Sequence, residues 1–372
     1  MNLEKYAEEV IEGEKNRFRD RVFRKFLWIL SRLYRVIIFI RRKVYDLGLK
    51  KGKDLPAVVI SVGNITVGGT GKTPVVKKIA EELKEEGYLP TILSRGYKGE
   101  FEGGEAVVSN GEEVFLSPEE SGDEPHMLAK RLKGVPVLVG AKRSKTGSYA
   151  CRFFEPDCII LDDGFQHWQM DRDFEVVVID ASNPFDNGYL LPRGKLRELP
   201  KALKRGDLFV LTKADQASFS KLEKLKKKLS KINPKAEISE TKHAPSYLRP
   251  IGDGEVKEIE LKEERVVAVS GIGKPKNFEW TLKDLGAKIV ERVRYEDHHH
   301  YTKEDMQEIF TLASEKNADK IITTEKDGVS MEREEILEII NREKIPLEVL
   351  GIEIEVMDSE AGFGEFFSKL EV

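Results

Sequence analysis

The amino-acid sequence predicts an α/β protein: a mostly parallel, doubly wound sheet, an amphipathic helix ahead of it, and a second, smaller α/β domain behind. Three observations carry this. An apolar run, Ala57 to Val62, passes through a glycine-rich turn into a helix opened by Lys72, Thr73 and Pro74. Strand-length apolar runs then alternate with amphipathic helical stretches as far as Leu211. A second alternation of the same kind begins at Val266.

The 372 residues suggest two domains with additions, divided as a basic helical region 1–50, a core 51–217, a connector 218–263 and a C-terminal α/β domain 264–372. Composition is that of a globular protein, 40% hydrophobic and 34% charged. The net charge of −4 argues against nucleic acid as a partner, and the chain is expected to act as a monomer. Cys151 and Cys158 match no zinc or redox spacing and fit a reducing compartment. The polar, acidic first residues do not resemble a secretory signal.

The charge is unevenly placed: residues 15–53 hold fourteen Lys or Arg against two Asp. From Arg17 to Val44 the chain reads as one helix without Pro or Gly. At about 100° per residue, Arg17, Arg21, Arg24, Arg35 and Arg42 share a stripe, with Val22, Phe26, Leu33, Ile37, Ile40 and Val44 opposite. Arg32 and Arg35 interrupt the apolar run, which falls short of the ~20 residues a bilayer span needs. The pattern suits a helix lying in the interface of an anionic membrane.

The stretch Val62-Gly-Asn64-Ile-Thr66-Val-Gly68-Gly69-Thr70-Gly71-Lys72-Thr73 is a P-loop, the cradle in which backbone N–H groups converge on phosphate oxygens. The common G-x-x-x-x-G-K-[ST] spacing would place a glycine at 66, where this chain has Thr66. Its glycines stand at 68, 69 and 71. Lys72 can reach the terminal phosphates, and the Thr73 hydroxyl can hold Mg²⁺.

Beyond the loop the expected elements are a helix Val75 to Glu86, a strand Pro90 to Leu93, a polar hairpin over 100–116, a helix through Arg131 and a strand Val135 to Val139. Another helix precedes the strand Cys158 to Leu161, and strands Val176 to Asp180 and Leu208 to Leu211 follow. Polar residues just after the strands mark the carboxyl edge of a parallel sheet, where such folds bind ligands. Asp162 and Asp163 end one strand and suit Mg²⁺, with Gln166 and His167 in the same loop. Asp123 and Glu124 form a second acidic pair, fitted equally to capping a helix and to accepting a proton from a hydroxyl in phosphoryl transfer.

In the C-terminal part, Gly271-x-Gly273 lacks the third glycine of a dinucleotide fingerprint, and Lys274-Pro275-Lys276 interrupts the expected helix start. Asp297-His298-His299-His300 holds half the histidines of the chain. Consecutive residues do not converge on one metal, so one histidine oriented by Asp297 is the functional reading. Thr212-Lys213-Ala214-Asp215 differs from the guanine-reading N-K-x-D pattern in its first residue, leaving a GTPase or metallochaperone-type switch as the alternative.

Seven segments in order resemble the tetraacyldisaccharide 4'-kinase family of lipid A biosynthesis: the P-loop, Ser94-Arg-Gly-Tyr97, Gly122-Asp-Glu-Pro125, Leu161-Asp-Asp-Gly-Phe-Gln-His167, Leu191-Pro-Arg-Gly-Lys-Leu-Arg-Glu198, Asp297-His298 and Thr324-Glu-Lys-Asp327. The resemblance implies transfer of the ATP γ-phosphate, with Mg²⁺, to the 4'-hydroxyl of a lipid A disaccharide 1-phosphate precursor at the cytoplasmic face of the bacterial inner membrane. It implies Asp123 as base with His298 as helper and Lys72 on the transferring phosphate. Gly68, Gly69, Thr70, Gly71, Lys72, Thr73 and Gln166 would line the nucleotide site, and Thr73, Asp162, Glu124 and Asp163 would surround the metal. Asn64, Arg95, Tyr97, Arg143, His167 and Arg197 would face the lipid disaccharide. Arg193 departs from the family, which often has Ala there.

Overall fold

The structure, a computed structural model, describes residues 6, 9–11, 13, 15–96, 104–252, 255–297, 299–357 and 363–369. Along the chain come α1 (Phe18–Asp46), β1 (Val58–Gly63), α2 (Lys72–Glu85), β2 (Pro90–Ser94), β3 (Glu105–Ser109), α3 (Pro118–Ser121), α4 (Asp123–Arg131) and β4 (Val137–Gly140). Next are α5 (Arg143–Phe153), β5 (Cys158–Asp162), β6 (Phe174–Asp180), β7 (Leu208–Thr212), α6 (Phe219–Ile232) and β8 (Glu237–Pro250). The rest is β9 (Arg265–Ser270), α7 (Pro275–Asp284), β10 (Lys288–Arg294), α8 (Lys303–Glu315), β11 (Lys320–Thr324), α9 (Glu325–Met331), α10 (Glu334–Ile340), β12 (Leu347–Val356) and α11 (Phe363–Ser368).

The chain forms two compact units. One comprises residues 1–93, 142–242 and 356–372, the other residues 94–141 and 243–355. Residues 94–141, expected within the core 51–217, group instead with the C-terminal part. Ion pairs across long sequence separations tie them there: Lys130 to Glu332 at 2.6 Å and Arg131 to Glu325 at 3.1 Å.

In the first unit the strands run β8-β7-β6-β1-β5-β2, and every pairing from β7 to β2 is parallel. β1 lies between β5 and β6, so Val59 to Val62 are buried and the chain leaves the sheet at its carboxyl edge. A core cluster of Ile65, Phe165, Val177, Leu203, Leu211, Leu225 and Leu229 packs on one face, joined by Tyr34 of α1.

Residues 218–263, expected as a connector, contribute α6 and the fourteen-residue β8. β8 pairs in parallel with β7 from Glu237 to Glu240, and buried Ser239 and Thr241 stand on its core side. Pro245 and the charged residues of this strand obscured an element whose burial comes from its neighbours rather than from its own hydrophobicity.

α1 begins where the Arg17 N–H donates to the Asp20 carboxylate at 2.8 Å and ends at Gly48, whose φ of +68° closes the helix. Its buried residues are Asp20, Leu27 and Ser31. Val22, Phe26, Leu33, Ile37 and Ile40, opposite the arginine stripe, are exposed. No described helix is long and apolar enough to cross a membrane.

In the second unit the strands run β10-β9-β11-β12-β8, with parallel pairings from β10 through β12, and β3 pairs antiparallel with β4. α7 begins at Pro275, so Lys274-Pro275-Lys276 starts the helix where an interruption was expected; proline suits the first turn, which lacks an intrahelical acceptor for its N–H.

Candidate active site

The P-loop leaves β1 at Gly63 and enters α2 through Gly71, which holds the N-cap position in the left-handed region at φ +85°. Gly68 is also left-handed, at φ +104°. These are the positions where glycine's freedom is required. No side chain caps α2, so the helix dipole and its first N–H groups are available to an anion. Asn64 is fully buried and spans the loop, its side-chain amide donating to Thr70 Oγ1 at 2.8 Å.

Beside the loop, β5 delivers two carboxylates. Asp162 pairs in register with Val62 and is buried; Asp163 turns out at φ +52°. Lys72 Nζ lies 3.6 Å from Asp163, and Arg197 donates to both its carboxylate oxygens at 2.8 and 3.0 Å. Burial acts to raise the Asp163 carboxyl, but Lys72 and Arg197 outweigh it and hold it below its ordinary value. Arg143 is buried and donates to the carbonyls of Asp162 and Asp163 at 2.7 and 3.0 Å. Gln166 bridges the Asn64 carbonyl, at 2.8 Å, to Glu198, at 3.1 Å. The His167 backbone N–H closes the acidic turn on Gly164.

The expected site residues of this unit therefore gather around the loop, several with structural tasks that the sequence did not suggest. Asn64, Arg143 and Arg197, expected toward the acceptor, brace the loop and the acidic turn. Asp163, expected at the metal, engages two cations. The Thr73 hydroxyl and the Asp162 carboxylate are oxygen donors of the kind Mg²⁺ takes. Mg²⁺ uses one or two protein oxygens beside phosphates and water, so this set fits it. Among the described residues, no group of three or more His, Cys, Asp or Glu could hold a metal ion.

In the second unit, Asp123 and Glu124 open α4. Gly122, at φ +90°, holds the cap position without a side-chain cap bond, so Asp123 occupies the first turn and is not the cap. Asp123 is half-buried and Glu124 exposed. His126 fixes this helix through Nδ1 and the Leu116 carbonyl at 2.9 Å, and burial lowers its pKa. Arg95 is exposed after β2. Tyr97 and His298 lie outside the described residues.

Around the histidine run, Asp297 pairs with Lys326 at 2.6 Å, and the His299 ring stacks on Tyr295 and meets Asp305 at 2.9 Å. Thr324 caps α9 by accepting the Asp327 N–H. The Asp327 carboxylate accepts from the Gly271 N–H and from the Tyr301 hydroxyl, both at 3.0 Å. Thr324-Glu-Lys-Asp327 is thus a knot joining β9, β11 and the histidine segment.

Sequence reasoning gave Glu198 and Arg205 no separate role. Arg205 pairs with Glu198 at 3.0 Å and lies over the Phe165 ring, so the pair supports the acidic turn from below. Glu198 sits in a segment quoted for the family resemblance, but only the structure shows its partner.

The family model described as tetraacyldisaccharide-1-P 4'-kinase matches residues 23–370. The chain belongs to this family. A tetraacyldisaccharide 4'-kinase of Halothermothrix orenii is 42% identical over 363 residues, covering 95% of this chain and 94% of that protein. One from Syntrophus aciditrophicus is 40% identical, covering 89% and 90%. A crystal structure of LpxK from Aquifex aeolicus in complex with ATP shares 33% identity at a TM-score of 0.71, covering 91% of this chain and 96% of that one. Membership in the tetraacyldisaccharide 4'-kinase family sets aside the GTP-switch reading of Thr212-Lys213-Ala214-Asp215.

Proposed function

We propose that this chain transfers the γ-phosphate of ATP to the 4'-hydroxyl of a tetraacyldisaccharide 1-phosphate, a lipid A precursor. The observation that carries this reading is the family match over residues 23–370. The P-loop of the first unit supports the nucleotide half: left-handed glycines, an uncapped helix N-terminus and Lys72 together bind polyphosphate.

In the reaction the acceptor oxygen bonds to the γ-phosphorus as the bond to the β–γ bridging oxygen breaks, ADP leaves, and the hydroxyl proton passes to a carboxylate. Asp123 is that carboxylate, with His298 as its helper. The loose transition state spreads charge over the transferred oxygens, and Lys72 offsets it. Thr73 and Asp162 would hold Mg²⁺, which when bound neutralises phosphate charge. Arg95 and Tyr97 would meet the phosphorylated sugar, for which guanidinium groups are suited.

The acceptor is a lipid, so the site of action is a membrane surface, and the requirement for ATP places it on the cytoplasmic face of the inner membrane. α1 supplies the contact, with apolar residues for the acyl region and arginines for anionic head groups. The chain acts there as a monomer.

The test is mass spectrometry of purified tetraacyldisaccharide 1-phosphate incubated in detergent with enzyme, ATP and Mg²⁺. A gain of one phosphate is expected, lost by about a hundredfold or more in Lys72→Ala and Asp123→Ala. A wild-type enzyme that leaves the acceptor unmodified would overturn the reading.

A further inference from the structure

Two residues at the end of β7 reach the P-loop from its far side. Thr212 is fully buried and its hydroxyl donates to the Thr70 carbonyl at 2.8 Å. Lys213, the next residue, adopts φ +54°, a conformation uncommon outside glycine, and is 8% exposed. Its ammonium donates to the Asp180 carboxylate at 2.8 Å and to the Gly69 carbonyl at 3.4 Å. Asp180 also accepts the Ser182 N–H at 3.0 Å. A buried ammonium needs a carboxylate partner, and Asp180 at the end of β6 supplies it.

The loop itself offers little to hold its peptides in place. A Cβ added at Gly68 or Gly69 would meet no atom within 4 Å, so packing does not restrain these residues. An external restraint on the carbonyls does the work of side chains here. In a planar trans peptide, a carbonyl and the N–H that follows it point in opposite directions. Tying the Thr70 carbonyl to Thr212 therefore turns the Gly71 N–H the other way, at the N-terminus of α2 where anions bind.

We propose that Thr212 and Lys213 are positioning residues for the ATP phosphates. They hold the Gly69 and Thr70 carbonyls away from the bound anion and fix the N–H groups that face it. The inference rests on the reading of this chain as an ATP-dependent kinase. It also accounts for Thr212-Lys213-Ala214-Asp215 without any role in reading a base: a threonine hydroxyl suffices where only a carbonyl must be held.

Lys213→Met alone would leave Asp180 buried without its cation, so the informative variant is Lys213→Met/Asp180→Asn, with Thr212→Val and Lys213→Arg beside it. ATP binding with Mg²⁺ is measured by calorimetry without acceptor, thermal stability by calorimetric melting, and steady-state rates against ATP, GTP and acceptor. The double variant and Thr212→Val are expected to melt near wild type yet to raise Kd and KM for ATP roughly ten- to hundredfold. The KM for the acceptor and the ratio of ATP to GTP turnover stay unchanged, and Lys213→Arg recovers part of the affinity. A stable double variant that binds ATP as wild type does would overturn the proposal, and so would a shift in the ATP-to-GTP ratio, which marks a base reader. Because the calorimetry uses no acceptor, a wild-type enzyme that binds ATP but leaves the lipid unmodified would defeat the kinase reading alone.

Discussion

Lys72 and Arg197 share one carboxylate: Asp163 lies 3.6 Å from the lysine ammonium and 2.8 Å from the guanidinium. The pair of cations that a polyphosphate would meet is thus held by an internal anion. Asp163→Asn removes a negative charge beside the loop, so ATP is expected to bind at least as tightly as to wild type. Turnover should fall about tenfold or more, because Lys72 and Arg197 lose the group that positions them. Calorimetry and kcat together check this; weaker ATP binding with unchanged kcat would contradict it. The Asp163 carboxyl is held below the ordinary aspartate value of 3.8, so its pairing is complete above that pH and is lost only as pH falls below it. A decline of activity between pH 7 and 5 would therefore have another origin.

Glu175 gives the opposite sign. It lies on β6 in register with Ser61 of β1, and burial pushes its carboxyl up to about 7 against the opposing pull of Arg172, 3.2 Å away, and Arg205. The folded protein keeps this proton while the unfolded chain loses it near the ordinary glutamate value of 4.5. Stability from this group is full below that pH and declines as pH rises through about 7, by an amount on the order of 3 kcal/mol. Thermal melts from pH 4.5 to 8 should show this decline in wild type and a flatter profile in Glu175→Gln. Parallel profiles would show that Glu175 ionises normally.

Two loop glycines separate folding from binding. A Cβ at Gly63 would fall 2.6 Å from both the Cβ and the backbone nitrogen of Phe165, whereas one at Gly69 would meet nothing within 4 Å. Gly63→Ala should cost about 2 kcal/mol or more of stability, since the acidic turn must move. Gly69→Ala should melt within about 0.5 kcal/mol of wild type and still bind ATP about tenfold more weakly, because its methyl intrudes where backbone meets phosphate. Equal melting points for the two variants would refute the steric argument.

Much of this was readable from the chain because it is local. The strand, glycines and Lys-Thr of the P-loop stand in sequence order, as do Asp162 and Asp163 at the end of β5. What escaped is tertiary. β8 carries Pro245 and many charges, and its strand character comes from pairing with β7. The placement of residues 94–141 depends on Lys130 and Arg131 finding Glu332 and Glu325 about two hundred positions later. Thr212 and Lys213 look like a damaged base-reading signature until their partners, two backbone carbonyls, are visible. Backbone acceptors leave no trace in side-chain spacing.

In the second unit, Glu332 is buried between Arg249, at 2.7 Å, and Lys130, at 2.6 Å. Burial acts to raise its carboxyl, but the two cations outweigh it and keep it below 4.5. Glu332→Ala leaves Arg249 buried without this partner and should cost about 3 kcal/mol or more, read by denaturant unfolding. Arg342→Ala removes one side of a pair in which both side chains are more than half exposed, Arg342 to Glu338, and should change stability by well under 1 kcal/mol. Comparable losses for the two would mean that burial does not set the difference.

α1 presents three faces, and their separation makes its role testable. Leu27 and Ser31 are buried, and Tyr34 packs on the core of the first unit, while Leu33 and Ile37 are 57% and 63% exposed on another face. Leu33→Ser/Ile37→Ser removes apolar surface that the fold does not use, so melting should stay near wild type. Each of these side chains is worth roughly 1.5–3 kcal/mol when fully buried, so binding to vesicles containing phosphatidylglycerol should fall tenfold or more. Arg21→Gln/Arg35→Gln should weaken binding by about 1 kcal/mol per arginine and flatten its salt dependence, because only the electrostatic part is lost. The two variants therefore differ in kind: the apolar variant keeps the full salt sensitivity of the wild type, and the arginine variant shows a shallower one. An apolar variant that sediments with vesicles as wild type does would remove α1 as the membrane contact and leave its exposed leucines and isoleucines needing a protein partner instead.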